Sequence, residues 1–201
     1  MEVYEGVKFT TDCLGADFDL EEERIELLSE LHRLSECKLL SANNGNVSVR
    51  VPTGHSLGGS LDMIITPSGL DMENISKDDM VLVIDIDEGR KVVHYKGREK
   101  PSSEAIMHWM IYGRFPEVNA IIHFHDEKLL KFQEELVTTK KYFPYGTVEL
   151  AREVICTLHE SDFIILRDHG ALVAGPSLKA CHEMITKVKE DLRISCNLGL
   201  D

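Results

Sequence analysis

The chain has 201 residues, 43% of them apolar, and a formal net charge of −13. That length supports one well-buried core, and the acidic balance excludes a nucleic-acid surface, which needs Lys/Arg patches. Apolar runs such as Met80-Val81-Leu82-Val83-Ile84 fall far short of the roughly 20 residues of a membrane span, so no membrane partner is expected.

No linker, repeat or low-complexity run interrupts the sequence, and the whole of 1–201 reads as a single domain. The start, MEVYEGVKFT, has no basic segment followed by an apolar one, so no signal peptide is expected. Five cysteines, an odd number with no C-x-x-C, suit reduced structural thiols and a cytoplasmic protein. An anionic substrate stays compatible with the charge if a metal or aimed backbone N–H groups meet it locally.

In chain order, Asp19-Leu-Glu-Glu22 predicts a helix start with a capping side chain. Ile25, Leu28, Leu31 and Leu34 then repeat at helical spacing to about Leu40. Val47–Val51 alternates as a strand does, and Asp62–Thr66 is a second strand ending in the turn Thr66-Pro67-Ser68-Gly69. Met80–Ile86 and Lys91–Tyr95 flank Asp87-Glu88-Gly89-Arg90 as a hairpin. Pro101-Ser102 opens a helix carrying Glu104, Met107, His108 and Ile111.

Val118–His125 reads as a buried strand, followed by a helix from about Asp126 to Leu136 and another over Thr147–His159. Phe163–Arg167 and Ala171–Ala174 are strands turning at His169-Gly170, and Ser177 caps a last helix to about Ile194. Strands come mostly as hairpin-like neighbours with helices between groups. The expected fold is α/β, a largely antiparallel sheet covered by helices on both faces.

His123 and His125 are two apart on a strand, so both imidazoles leave one face and can converge on one ion, while Phe124 points the opposite way. The plain alternative is two ordinary polar strand residues. The apolar Ala120-Ile121-Ile122 before them argues that their nitrogens need a buried partner. A metallo-β-lactamase pattern wants an aspartate where Glu127 stands, and a cupin a glutamate where Leu129 and Leu130 stand. His169 is either an exposed turn histidine or one aimed inward by Gly170. Glu104 is either a helix-start acid favoured by the dipole or a ligand. His108, one turn on, is a rival ligand or a packed histidine.

Pro-Ser-Ser-Glu at 101–104, the His123/His125 pair and His169-Gly170 resemble the class II aldolase/adducin family. Gly45-Asn46-Val47-Ser48 and Thr66-Pro67-Ser68-Gly69 match the same family in the same order, over roughly residues 20 to 192. The resemblance implies a three-layer domain. In the fuculose-1-phosphate-aldolase-like branch it implies zinc on Glu104, His123, His125 and His169, and a phosphate pocket from Gly45, Asn46, Ser68, Gly69, Ser102 and Ser103. Glycine turns and a helix N-terminus can hold an anion without any lysine.

The implied reaction is cleavage of a small ketose 1-phosphate to dihydroxyacetone phosphate and an aldehyde through a metal-stabilised enediolate, with Glu104 as base. The ligand types suit zinc, and also cobalt, manganese or iron. The family also implies a homotetramer with sites between subunits. Two departures stand out. The insert carrying a tyrosine acid is missing between His125 and Tyr145, and the tail Ser195–Asp201 has no tyrosine. Tyr142 or Tyr145 could substitute as the acid, but packing at the loop before the Thr147 helix is the plainer reading of each, so the proton donor stays open. Alternatives on the same scaffold are a pentulose-phosphate 4-epimerase, a methylthioribulose-phosphate dehydratase and a non-catalytic adducin-like module. The dehydratase uses a further glutamate, for which Glu134 and Glu135 fall too early. The module lacks the metal site.

Overall fold

The computed structural model describes residues 7–40, 44–52, 54 and 61–194. The tail and Cys196 lie outside them. The strands are β1 (Thr10–Cys13), β2 (Asn46–Val51), β3 (Asp62–Ile65), β4 (Val81–Asp87), β5 (Val92–Lys96), β6 (Ala120–Phe124), β7 (Phe163–Leu166) and β8 (Gly170–Gly175). The helices are α1 (Glu21–Glu36), α2 (Ala105–Arg114), α3 (Glu127–Leu130), α4 (Val148–Leu158) and α5 (Leu178–Asp191).

The eight strands form one sheet in the order β1-β5-β4-β3-β2-β6-β8-β7. Every pairing is antiparallel except β1 with β5. Because side chains alternate along a strand, the sheet feeds two cores. Val47, Ile64, Ile122, Phe124 and Val173 pack with α1, α3 and α5 on one face. Met63, Ile65, Ile121, Leu172 and Ala174 pack with α2 and α4 on the other. The expected three-layer α/β arrangement is what forms. Among the described residues, no helix is long and apolar enough to cross a membrane.

Most boundaries agree with the sequence reading to within a residue or three, and the differences have local causes. Leu20, at φ 80°, precedes α1 with no side-chain cap, so Asp19 does not cap it; Glu21, Glu22 and Glu23 meet the helix dipole instead. The helix expected over 126–136 stops at Leu130. Val137 and Thr139 exchange backbone hydrogen bonds with Ile165, so the chain leaves the helix to run beside β7. Strand β1 carried no sequence signal and is held by its parallel pairing with β5.

Candidate active site

Three central strands bring the site residues to one end of the sheet. Asn46 opens β2 and pairs directly with His123 near the end of β6, which pairs in turn with Leu172 near the start of β8. The turn carrying His169 lies just before β8. Beside them, Ser102 N donates to Thr66 O at 3.1 Å and Ser68 N to Lys100 O at 2.9 Å, which lays the Thr66-Pro-Ser-Gly turn against the Pro-Ser-Ser-Glu turn.

Two glycines are needed for this closeness. Gly45 sits at φ 80°, and a Cβ there would lie 2.5 Å from His123 O. Gly170 serves by close approach rather than by the positive φ that the turn suggested; a Cβ would lie 2.7 Å from Phe124 O and 3.0 Å from His123 Cε1. The positive φ of that turn, 56°, belongs to Asp168.

The three histidines are mutually packed, ring centroids 4.9 to 5.0 Å apart. Their ligand atoms lie within 4.8 Å of one another. His123 is fully buried, and its Nδ1 donates to Ala171 O at 2.9 Å. Its Nε2 is therefore a bare acceptor. It lies 3.1 Å from His125 Nε2 and 3.2 Å from Glu104 Oε2. Burial, reinforced by His169 and His125, holds His123 well below the ordinary imidazole pKa. The same desolvation, with His169, lowers His125 to about 4 although part of its ring is open to the cavity.

His123 Nε2, the Glu104 carboxylate and the neighbouring ring nitrogens thus lie around one point where a cation can take their lone pairs. Glu104 Oε1, Asn46 Oδ1 and His169 Nδ1 are also buried without a hydrogen-bond partner among the described residues. The donor set, imidazole nitrogens and a carboxylate around one point, fits a divalent metal such as zinc.

Above this cluster is a cavity of about 410 Å³. All six residues expected to hold phosphate, Gly45, Asn46, Ser68, Gly69, Ser102 and Ser103, line it together with Glu104, His125 and His169. His123, fully buried, lies behind that lining against Glu104 and His125. Glu104 stands at the N-cap position of α2, just before the first turn expected for it, and its side chain makes no cap bond. It accepts from Asn46 Nδ2 at 2.9 Å instead. Asp126, next to His125, caps α3 and accepts from the buried Lys189 at 2.8 Å, which anchors that end of the strand to α5.

His108 is no ligand: it is fully buried with Nδ1 2.7 Å from Ser48 Oγ. Tyr145, read from sequence as packing, is buried and also lines the cavity. It is pressed there by Gly146, whose Cβ position lies 2.8 Å from Ser103 O, and the Lys8 ammonium sits 3.8 Å from its ring centroid. Tyr142 is 42% exposed. Ser48 and Tyr112 were not singled out, although a signal existed: Asn46, Ser48 and Arg50 are polar at alternate positions of a strand that is covered on both faces.

A mixed α/β fold carrying a histidine–carboxylate cluster beside serine and glycine turns defines the class of protein: a class II aldolase-like domain. The chain belongs to the class II aldolase and adducin family: the model of the class II aldolase and adducin N-terminal domain matches residues 25–135 and 126–196. The chain is 31% identical over 183 residues to the L-fuculose phosphate aldolase of Methanococcus maripaludis, covering 83% of this chain and 92% of that one. It is 26% identical to the 5-methylthioribulose-1-phosphate/5-deoxyribulose-1-phosphate aldolase of Rhodospirillum rubrum, over 82% of this chain and 76% of that one. Among solved structures, an L-fuculose 1-phosphate aldolase superposes with a TM-score of 0.72 at 25% identity, over 89% of this chain and 86% of that one.

Proposed function

We propose that the protein is a zinc-dependent aldolase that cleaves a small ketose 1-phosphate to dihydroxyacetone phosphate and an aldehyde. The observation carrying this reading is the convergence of His123 Nε2, His125 Nε2 and Glu104 Oε2 beside a cavity walled by serine and glycine turns. The similar proteins named above act on ketose 1-phosphates, which agrees with a cavity built to hold one phosphate without lysine in its lining.

Glu104, His123, His125 and His169 would hold the metal, which when bound supplies Lewis-acid polarisation of the substrate carbonyl. The amides of Gly45 and Gly69, the hydroxyls of Ser68, Ser102 and Ser103, and the Asn46 side chain orient the phosphate end. Tyr145, fixed in the wall, relays the proton of the C4 hydroxyl to solvent, giving up its own phenolic hydrogen as it accepts this one. The C3–C4 pair then stays with the phosphate-bearing fragment as an enediolate, and C4 becomes the aldehyde carbon. Glu104, protonated from solvent, delivers a proton to C3 and completes dihydroxyacetone phosphate. In the synthetic direction, Glu104 removes that same proton. The assembly belonging to this reading is a homotetramer with sites between subunits, checked by sedimentation.

The test is exchange of the hydroxymethyl proton of dihydroxyacetone phosphate in heavy water, followed by NMR with and without a chelator. Chelator-sensitive exchange is expected. No exchange from zinc-loaded protein overturns the reading.

A further inference from the structure

The first described residues of the chain end against the cavity wall. Strand β1 pairs with β5 in parallel, Thr10 beside Val92, and Thr10 N donates to Lys91 O at 2.9 Å. Just before it, Phe9 packs against the core on the α2 and α4 side of the sheet. Phe143, two residues before Tyr145, packs against that same core. Between these anchors the Lys8 ammonium sits 3.8 Å from the Tyr145 ring centroid. Lys8 is half-buried, and its Cβ lies 3.8 Å from the point that a Cβ on Gly146 would occupy.

The backbone around Tyr145 is set by other contacts. Thr147 caps α4: its Oγ1 donates to Pro144 O at 2.7 Å and accepts from Leu150 N at 3.2 Å. Gly146, at φ 67°, lays the loop against Ser103. The direction of the ring is a separate matter of its side-chain torsions. A cation is drawn to the negative face of an aromatic ring, so the ammonium favours the orientation that turns that face to it. The cavity lining contains Tyr145 but not Lys8. Lys8 therefore acts on the ring rather than on a substrate in the cavity.

We propose that Lys8 is a positioning residue for Tyr145. Residues 7–9 and β1 form a strap that carries an ammonium to the ring and holds the phenol in the cavity wall. A hydroxyl that relays a proton must be placed closely, because a displacement of about 1 Å can cost about 100-fold in rate. The proposal rests on the reading of Tyr145 as the group that relays the C4 proton. It also gives β1, which carried no sequence signal, a place in the chemistry.

Two substitutions separate this role from a packing role. Lys8→Met keeps the length of the stem and removes the charge, whereas Lys8→Arg keeps a cation that stacks on aromatic faces. Cleavage kcat is expected to fall about 3–30-fold in K8M, the scale of one cation–π contact, and to stay close to wild type in K8R. KM, affinity for inorganic phosphate and exchange at C3 should be unchanged in both. Beside Tyr145→Phe, K8M should cause no further loss, because the hydroxyl it positions is gone. Full activity in K8M, equal loss in K8M and K8R, or a K8M loss that persists beside Tyr145→Phe overturns the proposal. So does weakened phosphate binding, which would make Lys8 a direct partner of the anion.

NMR of protein carrying carbon-13-labelled tyrosine gives a readout independent of turnover, with Tyr145 identified by the signal that Tyr145→Phe removes. Its ring should flip faster in K8M than in wild type or K8R, and equal rates in all three overturn the proposal. If wild type neither cleaves nor exchanges any ketose phosphate, the functional reading fails. The order of the flip rates then still decides the positioning role.

Discussion

Asn46 and Glu104, brought together from β2 and the start of α2, are joined by a buried 2.9 Å hydrogen bond from Nδ2 to Oε2. Asn46 is also the residue paired with His123 across the sheet. One side chain thus fixes the carboxylate relative to the imidazole it faces at 3.2 Å. Asn46→Ala is expected to leave the fold intact and lower kcat about 10–100-fold, the usual scale for groups that orient a ligand. Steady-state kinetics beside a melting curve checks this.

Glu104→Gln keeps the shape and the oxygen but removes the base. Inorganic phosphate should still bind within a few-fold of wild type by calorimetry, because the serine and glycine turns are untouched. Exchange at the hydroxymethyl carbon should fall by about 10²–10⁴, the range for a positioned acid–base group. Unchanged exchange would sink the base assignment.

Gly170→Ala tests the packing beneath the histidines. The added methyl meets Phe124 O at 2.7 Å, a backbone atom of a central strand that cannot step aside. Forcing a carbon into a filled site costs about 1–3 kcal/mol, and here the strain falls between the His123 and His125 rings. A lower melting temperature together with reduced zinc content is expected, both measurable on the purified variant.

The sheet and the histidine pair were legible in the sequence for a simple reason. Alternation along β2 and β6 is local information, and a two-residue spacing puts His123 and His125 on one face whatever surrounds them. The end of α3 was not legible. The 131–136 stretch has helical periodicity, but pairing with Ile165 at the open edge of β7 draws the following residues away. Tyr145 was weighed without its neighbours. Only the approach of Gly146 to Ser103 O shows that the loop folds back over the cavity. The role of Gly170 was likewise a matter of tertiary distance, because a close approach leaves no mark that differs from an ordinary turn glycine.

Tyr145→Phe removes one oxygen from the cavity wall and keeps the ring under the Lys8 ammonium. If the hydroxyl carries the C4 proton, cleavage should slow about 100-fold. Exchange at C3, which uses Glu104, should persist. Equal loss of both reactions would make Tyr145 a wall residue only.

Metal-free protein should lose stability on acidification, and the sign follows from the histidines. His108 is lowered by burial from the usual 6.5 to about 3, with Glu104 opposing that shift and His123 adding to it. His125 is lowered to about 4. Between those values and 6.5 the unfolded chain binds protons that the folded chain refuses, so stability rises with pH across that window. His108, fully buried, contributes a slope approaching 1.4 kcal/mol per pH unit, and the exposed, solvent-screened His125 contributes much less. The contribution is fully present above about 6.5 and declines as pH falls toward 4. Urea midpoints of the chelated protein at pH 7.5, 6 and 5 should therefore decrease in that order. His108→Gln, which has no group to protonate, should flatten the decline; a midpoint independent of pH in both proteins would show that the ring is not held neutral by burial.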